Sequence, residues 1–150
     1  MRLVIQRVSE ASVTIDGNVH SRIGKGLFIL VGVEQGDTEA DARWLAAKAA
    51  GMRIFDDEDG VMNRSVVDID GELLAVSQFT LTASTRKGNR PSYIRAAGHE
   101  LAVPMYELFC KLLEESAGRP VLKGVFGADM KCSILNDGPV TILIDSRLKE

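Results

Sequence analysis

The sequence predicts a single α+β domain over residues 1–150, in which two main helices pack on a mostly antiparallel, barrel-like β-sheet. Many short apolar segments are bounded by turn residues, whereas only two segments have helical periodicity. No repeat or linker divides the chain, and a chain of this length buries about 68–70% of the surface that it exposes when unfolded. With 45% hydrophobic and 26% charged residues, the composition is that of a globular protein.

The first third of the chain predicts three strands and a helix. Apolar and polar residues alternate over residues 2–23 around Asp16-Gly17, a pair typical of a tight hairpin turn. Residues 27–33 are almost entirely apolar and predict a buried strand. Thr38-Glu39-Ala40-Asp41 has the spacing of a capping box, so we expect a helix that begins there and ends near Gly51.

The middle of the chain predicts two turns, a strand and a long loop. The acidic residues 56–60 predict a hairpin turn, because the run is too short for the ligand set of a calcium loop. Asp70-Gly71 predicts a second turn, followed by a strand over residues 72–79. Residues 82–92 have no periodicity and predict a polar loop of a length that is usually functional or mobile.

The last third predicts the second helix and the closing strands. Apolar residues at helical spacing predict a helix over residues 100–117, ended by Gly118 and with Pro104 in its first turn. Three closing strands follow, over residues 121–125, 133–135 and 140–145. A turn at residues 136–139 separates the last two.

Composition excludes several classes of protein. The longest apolar stretch, residues 27–31, is far shorter than the roughly 20 residues of a membrane-spanning helix, and no signal-peptide pattern is present, so we expect a cytoplasmic protein. A net charge of −3 leaves room only for a local nucleic-acid-binding patch. Cys110 and Cys132 lack metal-site spacing and are predicted core residues, while His20 and His99 lie outside known catalytic motifs. No metal or organic cofactor is implied.

Two motifs are unusual for a purely structural domain. The first motif, Ser77-Gln78-Phe79-Thr80, places polar side chains where an apolar strand ends, and backbone N–H groups freed there bind oxyanions well. The alternative is that its hydroxyls only satisfy the strand's terminal backbone groups. The second motif, Asn136-Asp137-Gly138-Pro139, is most often a simple turn. A cis peptide at Gly138-Pro139 would instead direct both carbonyls the same way, toward an ammonium group.

Taken with the rest of the chain, these motifs resemble the D-aminoacyl-tRNA deacylase family. Both signatures of that family are complete here, as Ser77-Gln78-Phe79-Thr80-Leu81 and Asn136-Asp137-Gly138-Pro139-Val140-Thr141. The likeness covers nearly the whole chain, through residues 6–8, 24–27, 31–33, 88–92 and 126–130. Several separated motifs in the right order make the resemblance specific.

The resemblance implies a homodimeric enzyme that hydrolyses the ester joining a D-amino acid, or mischarged glycine, to the terminal ribose of tRNA. L-aminoacyl-tRNA is spared. It also implies that Gly138-Pro139 is cis and enters the partner subunit's site, where its carbonyls select chirality. Asn136 and Met130 are further expected substrate contacts. Such a site binds the α-ammonium and the ester carbonyl of the substrate through protein backbone groups. It therefore rejects an L side chain by a steric wall and makes no demand on the identity of a D side chain.

For the chemical step we expect an oxyanion hole from the backbone N–H groups around Gln78 and Phe79, with Ser77, Gln78 and Thr80 orienting the substrate. An aminoacyl ester is already activated, so positioning and oxyanion stabilisation are the main requirements. Thr80 as a covalent nucleophile is the alternative, which we disfavour because no base is close to it in sequence. The tRNA's vicinal hydroxyl is a candidate for activating water.

The expected partner is tRNA, with neither DNA nor a membrane. The local basic group Arg86, Lys87, Arg90 and Arg95 is predicted to contact acceptor-stem phosphates, although a solvated loop is the simpler interpretation. Arg7 is a candidate for steadying Gly138-Pro139. Two other functions stay open: a non-catalytic dimeric module that binds an amino acid or nucleotide, and a generic esterase or peptidase with Thr80 or Ser77 as nucleophile.

Overall fold

The sheet is built around one long strand, in a computed structural model that describes residues 1–149. Strand β1 (Arg2–Ile15) turns at Asp16-Gly17 into β2 (Asn18–Ile23). Asp16 and Gly17 have φ values of 49° and 78°, as both central residues of a type I′ turn require. The predicted hairpin is therefore confirmed.

Six further strands complete the β structure: β3 (Gly26–Gly32), β4 (Phe55–Asp56), β5 (Met62–Arg64), β6 (Glu72–Ser77), β7 (Val121–Lys123) and β8 (Lys131–Asp145). Strands β4 and β5 pair only with each other and close the acidic turn that the sequence predicts. Strand β6 ends two residues before the predicted boundary. A 3₁₀ turn over Phe79–Thr82 takes the place of the predicted strand end.

Strand β1 organises the main sheet because it has partners along both of its edges. Its first half pairs with β3 and its second half with β2, so these two strands share one edge. Strand β8 runs antiparallel along the other edge. Strands β6 and β7 extend the sheet beyond β3 in parallel pairings. The sheet is thus mixed with mostly antiparallel pairs, and β2 approaches β6 and β7 so that the barrel nearly closes.

Two helices cover one face of the sheet, as predicted. Helix α1 (Glu39–Gly51) begins at Thr38, whose backbone N–H and hydroxyl both donate to the Asp41 carboxylate at 2.8 Å. Helix α2 (His99–Ala117) ends at Gly118, which adopts a left-handed φ of 65°. Pro104 is the sixth residue of α2 and lies in its second turn rather than its first. Among the described residues, no helix is long and apolar enough to span a membrane.

Two predictions about the last third are wrong. Strand β8 is continuous over 15 residues, so the second motif lies inside a strand and not in a turn between two strands. The pairing with β1 continues on both sides of irregularities opposite Val8, which accommodate the extra residues. Cys110 is buried as expected, but Cys132 is exposed, because β8 has no partner on its outer edge within residues 1–149.

Candidate active site

The first motif lies where the chain leaves β6. The N–H of Gln78 donates to the carbonyl of Val31 at 2.8 Å and so extends the pairing of β6 with β3 by one bond. The 3₁₀ turn then begins, and the first N–H groups of a helical turn have no acceptor within it. Within the described residues, the N–H groups of Phe79 and Thr80 have no hydrogen-bond acceptor.

This arrangement corrects one part of the predicted oxyanion hole. The N–H of Gln78 is already bonded to Val31, so it is not a free donor. The Phe79 N–H is free, as its predicted role requires, and that role stays a prediction. Thr80 has a second free N–H, which sequence reasoning missed. The position of the 3₁₀ turn was the missing information, because helix geometry decides which N–H groups stay without an acceptor.

The side chains of the first motif are held by one another. The Gln78 amide donates to the Thr80 hydroxyl oxygen at 2.5 Å. The Phe79 ring is 56% exposed and lies edge-on to Tyr93, with ring centroids 5.0 Å apart. No carboxylate or imidazole among residues 1–149 accepts a hydrogen bond from the Thr80 hydroxyl. Within the described residues, the Thr80 hydroxyl is thus bonded to the Gln78 amide and to no general base.

A cavity of about 440 Å³ opens beside the first motif. This volume lies in the range of about 300–1,000 Å³ that is typical of small-ligand sites. Ser77, Gln78 and Phe79 line one part of it, and Met130, Cys132 and His99 line others. Although Cys132 is partly open to solvent, desolvation by the surrounding cavity wall raises the pKa of its thiol, which favours the neutral, weakly nucleophilic form. The structure therefore brings predicted residues Ser77, Gln78, Phe79 and Met130 to one cavity. Thr80 does not line this cavity but is hydrogen-bonded to Gln78.

The second motif has a tightly specified backbone. The Gly138-Pro139 peptide is cis, and Gly138 has a φ of 122°. A Cβ atom on Gly138 would lie 2.8 Å from Arg7 Nη2 and 3.0 Å from Val140 Cγ2, so this position requires glycine. The Asn136 side chain closes the segment, because its amide oxygen accepts from the Val140 N–H at 3.1 Å and its amide nitrogen donates to the Val140 carbonyl at 3.3 Å.

Arg7 holds the second motif from β1. Its side chain is 9% exposed, and its guanidinium donates to the carbonyl of Asp137 at 3.0 Å and to that of Ile54 at 2.8 Å. The Asp56 carboxylate also lies 3.3 Å from the guanidinium. A planar guanidinium suits these separated acceptors better than a lysine ammonium does. The hydrogen bond from Arg7 to the Asp137 carbonyl supports the predicted role of Arg7 in steadying Gly138-Pro139.

The two motifs do not meet within one chain. Cys132 lines the cavity, and Gly138 lies six residues further along β8. At about 3.3 Å per strand residue the separation is about 20 Å. None of Asn136, Gly138 and Pro139 lines the cavity in the described part of the chain. The structure therefore leaves these three predicted substrate contacts outside the cavity of the same chain.

The basic residues next to the first motif divide into two kinds. Arg86, Lys87 and Arg90 are exposed and form no ion pair within residues 1–149. Arg95 instead donates to the carbonyl of Thr82 at 3.2 Å and so ties the loop to the end of the 3₁₀ turn. Arg86, Lys87 and Arg90 are thus available to bind a polyanion. The fourth predicted tRNA contact, Arg95, is hydrogen-bonded within the chain.

The acidic turn at residues 56–60 is a closed hairpin. The Asp57 carboxylate accepts from the N–H groups of Asp59 at 2.9 Å and Val61 at 3.0 Å. Hydrogen bonding, chiefly from the Val61 N–H, lowers the pKa of Asp57. In residues 1–149 no group of three or more His, Cys, Asp or Glu side chains is placed to hold a metal ion.

The fold and this site together define a class of protein. A free N–H at Phe79, which lines the cavity, and a second free N–H at Thr80 form a donor pair of the kind that stabilises the oxyanion in acyl-ester hydrolysis. Residues 4–145 match the D-Tyr-tRNA(Tyr) deacylase family, and the chain belongs to that family. The resemblance stated from the two motifs is confirmed.

Similar proteins agree over the full length of the chain. The D-aminoacyl-tRNA deacylases of Parabacteroides distasonis and Porphyromonas gingivalis are each 61% identical over 150 residues and are covered, like this chain, at 100%. A solved structure titled c-Myc DNA Unwinding Element Binding Protein is 40% identical, covers 97% of this chain and 98% of its own, and has a TM-score of 0.92. A probable eukaryotic D-amino acid tRNA deacylase, 16% identical at coverages of 95% and 97%, shares the fold with a TM-score of 0.81.

Proposed function

We propose that this protein hydrolyses the ester of D-aminoacyl-tRNA to free D-amino acid and tRNA. The observation that carries the proposal is the free N–H of Phe79, which lines a cavity of ligand size, next to a second free N–H at Thr80. The names of the bacterial relatives and the family membership supply the substrate class. In this proposal the ester carbonyl oxygen accepts from both N–H groups, which stabilise the tetrahedral oxyanion.

The chemistry in this proposal is attack by water. The water oxygen bonds to the carbonyl carbon, and the bond between that carbon and the ribose oxygen breaks. One proton of the water passes to the departing ribose oxygen. Because the Thr80 hydroxyl has no base and already accepts from Gln78, we assign it to positioning. The tRNA's vicinal hydroxyl is the remaining candidate for relaying the proton. A deoxy-terminated substrate that is cleaved at the normal rate would contradict this role.

Chiral selection in the proposal depends on a homodimer. Gly138 lies about 20 Å from the cavity of the same chain, along a strand that rises about 3.3 Å per residue. The outer edge of β8 has no partner strand in residues 1–149, and Leu135 and Leu143 on this strand are 55% and 69% exposed. A second copy paired or packed there would cover this edge. Gly138-Pro139 would then enter the partner's cavity, where its carbonyls accept from the substrate ammonium and exclude an L side chain.

Two further parts of the proposal concern substrate range and partners. Glycyl-tRNA is a substrate because glycine has no side chain for a steric wall to exclude. Arg86, Lys87 and Arg90 contact acceptor-stem phosphates. The absence of DNA binding and the cytoplasmic location stay predictions.

The first test compares hydrolysis of D-tyrosyl-tRNA and L-tyrosyl-tRNA by the purified protein, with a chelator control. We expect rapid loss of the D ester alone, with or without chelator. No turnover of either ester would favour the non-catalytic binding module. An acyl-enzyme adduct on Thr80 or Ser77 in a mass spectrum would instead favour the generic esterase.

A complementation experiment tests the cross-subunit arrangement. Phe79→Pro inactivates the cavity and Gly138→Ala inactivates the second motif, so each homodimer is expected to be inactive. In a co-expressed mixture, half of the dimers pair the two variants, and one of their two sites has an intact cavity facing an intact second motif. Activity should return to about one quarter of the wild-type level if the sites are shared across a twofold dimer. No recovery, with dimers present by size-exclusion chromatography, would show that the second motif does not act in trans.

A further inference from the structure

His99 lies on the cavity wall but has no part in the chemistry described above. It is the first residue of α2, it is exposed, and it lines the same cavity as Ser77, Gln78 and Phe79. Sequence reasoning assigned it no role, because an isolated histidine at a helix start carries no motif. Its position beside Phe126 in the tertiary structure changes that assessment.

Three aromatic rings connect the core to the cavity. Tyr106 is fully buried and its hydroxyl donates to the Ala75 carbonyl at 2.9 Å. The centroid of its ring lies 6.0 Å from that of Phe126, and Phe126 lies 4.9 Å from the His99 imidazole at an interplanar angle of 79°. The His99–Phe126 pair is edge-to-face and the Tyr106–Phe126 pair is tilted, and aromatic pairs at these separations are attractive. The imidazole is therefore the outermost ring of a row that is anchored in the core.

The imidazole has unused hydrogen-bonding capacity. Within residues 1–149, neither ring nitrogen of His99 forms a hydrogen bond. The neighbouring residue Gly127 has a φ of 78°, and a Cβ atom there would lie 4.0 Å from His99 Nε2. Because glycine occupies this position, the space beside Nε2 stays open. A neutral imidazole offers one donor and one acceptor in addition to its π face.

We propose that His99 is a positioning residue that contacts the nucleobase of the terminal nucleotide of tRNA. This inference rests on the proposed function, in which the N–H groups of Phe79 and Thr80 hold the ester on the terminal ribose. The base attached to that same ribose is the nearest large planar group, and it is identical in every substrate. Histidine and phenylalanine rings are common stacking partners of unpaired bases.

The direct test is a titration with adenosine 5′-monophosphate, followed by NMR of the histidine ring C–H protons. The chain has only two histidines, so His20, on β2 away from the cavity, is an internal control. The His99→Phe variant assigns the two signals. We expect the nucleotide to shift the His99 signals and not those of His20, and ribose 5-phosphate, which lacks the base, to shift neither. An unmoved His99 signal, or an equal shift by ribose 5-phosphate, would overturn the inference.

The kinetic test separates positioning from chemistry. His99→Ala should raise the KM for D-tyrosyl-tRNA about tenfold, within the range for loss of one base-stacking side chain, and leave kcat unchanged. His99→Phe should retain a KM near the wild-type value because it keeps the ring. The same increase is expected for D-alanyl-tRNA, since the base does not change with the amino acid. A fall in kcat, or an effect on one substrate only, would contradict a base contact.

The two tests also distinguish this inference from the proposed function. If the wild-type protein cleaves no aminoacyl-tRNA, the proposed function fails, and the nucleotide titration still decides whether His99 binds a base. If the wild-type protein cleaves D-tyrosyl-tRNA while His99→Ala has a normal KM, only the inference fails. Circular dichroism and thermal melting of both variants verify that α2 is intact.

Discussion

The two motifs differ in how completely their polar groups are satisfied. In the first motif, the N–H groups of Phe79 and Thr80 have no acceptor in the described residues, and Phe79 lines a cavity. In the second motif, Arg7 and Asn136 bond the backbone on both sides of Gly138-Pro139. One motif keeps donors ready for a ligand, and the other is held in shape.

This difference indicates what each motif needs from its surroundings. Free N–H groups serve an oxyanion only where a cavity places it within reach, and the first motif has such a cavity in its own subunit. The second motif is rigidly bonded but lies on a strand edge that is open within residues 1–149, and its residues do not line the cavity beside the first motif. Rigid carbonyls at an open edge are suited to a site on another molecule, as the homodimer proposal requires.

The largest expected effect comes from removing one free donor of the first motif. Phe79→Pro eliminates one N–H at the first position of the 3₁₀ turn, where proline is tolerated. Loss of one oxyanion donor should lower kcat about 100- to 1,000-fold. Phe79→Leu removes the same ring but keeps the N–H, so it is the matched control. Equal losses in both variants would assign the effect to the ring and contradict the oxyanion role.

The next effect comes from deforming the second motif without touching the cavity. Gly138→Ala introduces a Cβ atom 2.8 Å from Arg7 Nη2, and Arg7 moves away only by giving up its bonds to Asp137 and Ile54. A displacement of about 1 Å should lower D-tyrosyl-tRNA cleavage about 100-fold. Gly60→Ala, also at a positive φ but with no atom within 4 Å, is the control. Wild-type activity and D/L selectivity in Gly138→Ala would remove the second motif from the mechanism.

A smaller effect is expected on folding stability when Arg7 is replaced. Arg7→Lys keeps the charge but loses the fork that reaches Asp137 and Ile54 together, leaving a buried carbonyl unsatisfied. We expect the free energy of unfolding to fall by about 1–3 kcal/mol. Denaturant titration measures this change. Cleavage assays under native conditions should show a loss of D/L selectivity, whereas titration with adenosine 5′-monophosphate should show little change in nucleotide binding. The reverse result would indicate that Arg7 stabilises the cavity and not the second motif.

The exposed basic residues should change binding more than chemistry. Arg86→Ala and Arg90→Ala each remove one candidate phosphate contact. The negative slope of log K against log salt concentration should therefore become shallower by about 0.7–0.9 per contact. Arg95→Ala should instead loosen the loop by losing its bond to Thr82 and leave that slope unchanged. Binding of uncharged tRNA at several salt concentrations measures the slopes. If all three variants keep the wild-type slope, the loop is merely solvated and does not contact phosphates.

The smallest effect concerns pH and the end of β8. Burial favours the neutral form of Asp145, but the bonds from the Arg147 N–H and the Arg2 guanidinium outweigh it and lower the pKa. Because the folded pKa is below the unfolded value, this contribution to stability is complete above the unfolded pKa of about 3.9 and is lost as pH falls through the folded pKa. Asp145→Asn should make the melting temperature less dependent on pH in this range. An unchanged pH dependence would show that other carboxylates dominate.

Much of this molecule follows from local sequence. Asp16-Gly17 specifies a turn with positive φ at both residues, Thr38 and Asp41 form a cap within one helical turn, and Gly118 ends α2. These features depend on neighbours a few residues away, so a sequence pattern contains all of their determinants. The two signatures and their order were also sufficient to identify the family.

Tertiary structure decided the properties that depend on partners distant in the chain. Pairing with β1 made β8 continuous through Gly138-Pro139, and pairing with β3 removed the Gln78 N–H from the site while leaving Phe79 and Thr80 free. The same topology separated the two motifs and brought His99 to Phe126. The physical reason is that hydrogen-bond acceptors and pairing strands come from distant parts of the chain. Whether a backbone N–H stays free or a strand edge stays open therefore depends on the whole fold. No local pattern contains that information.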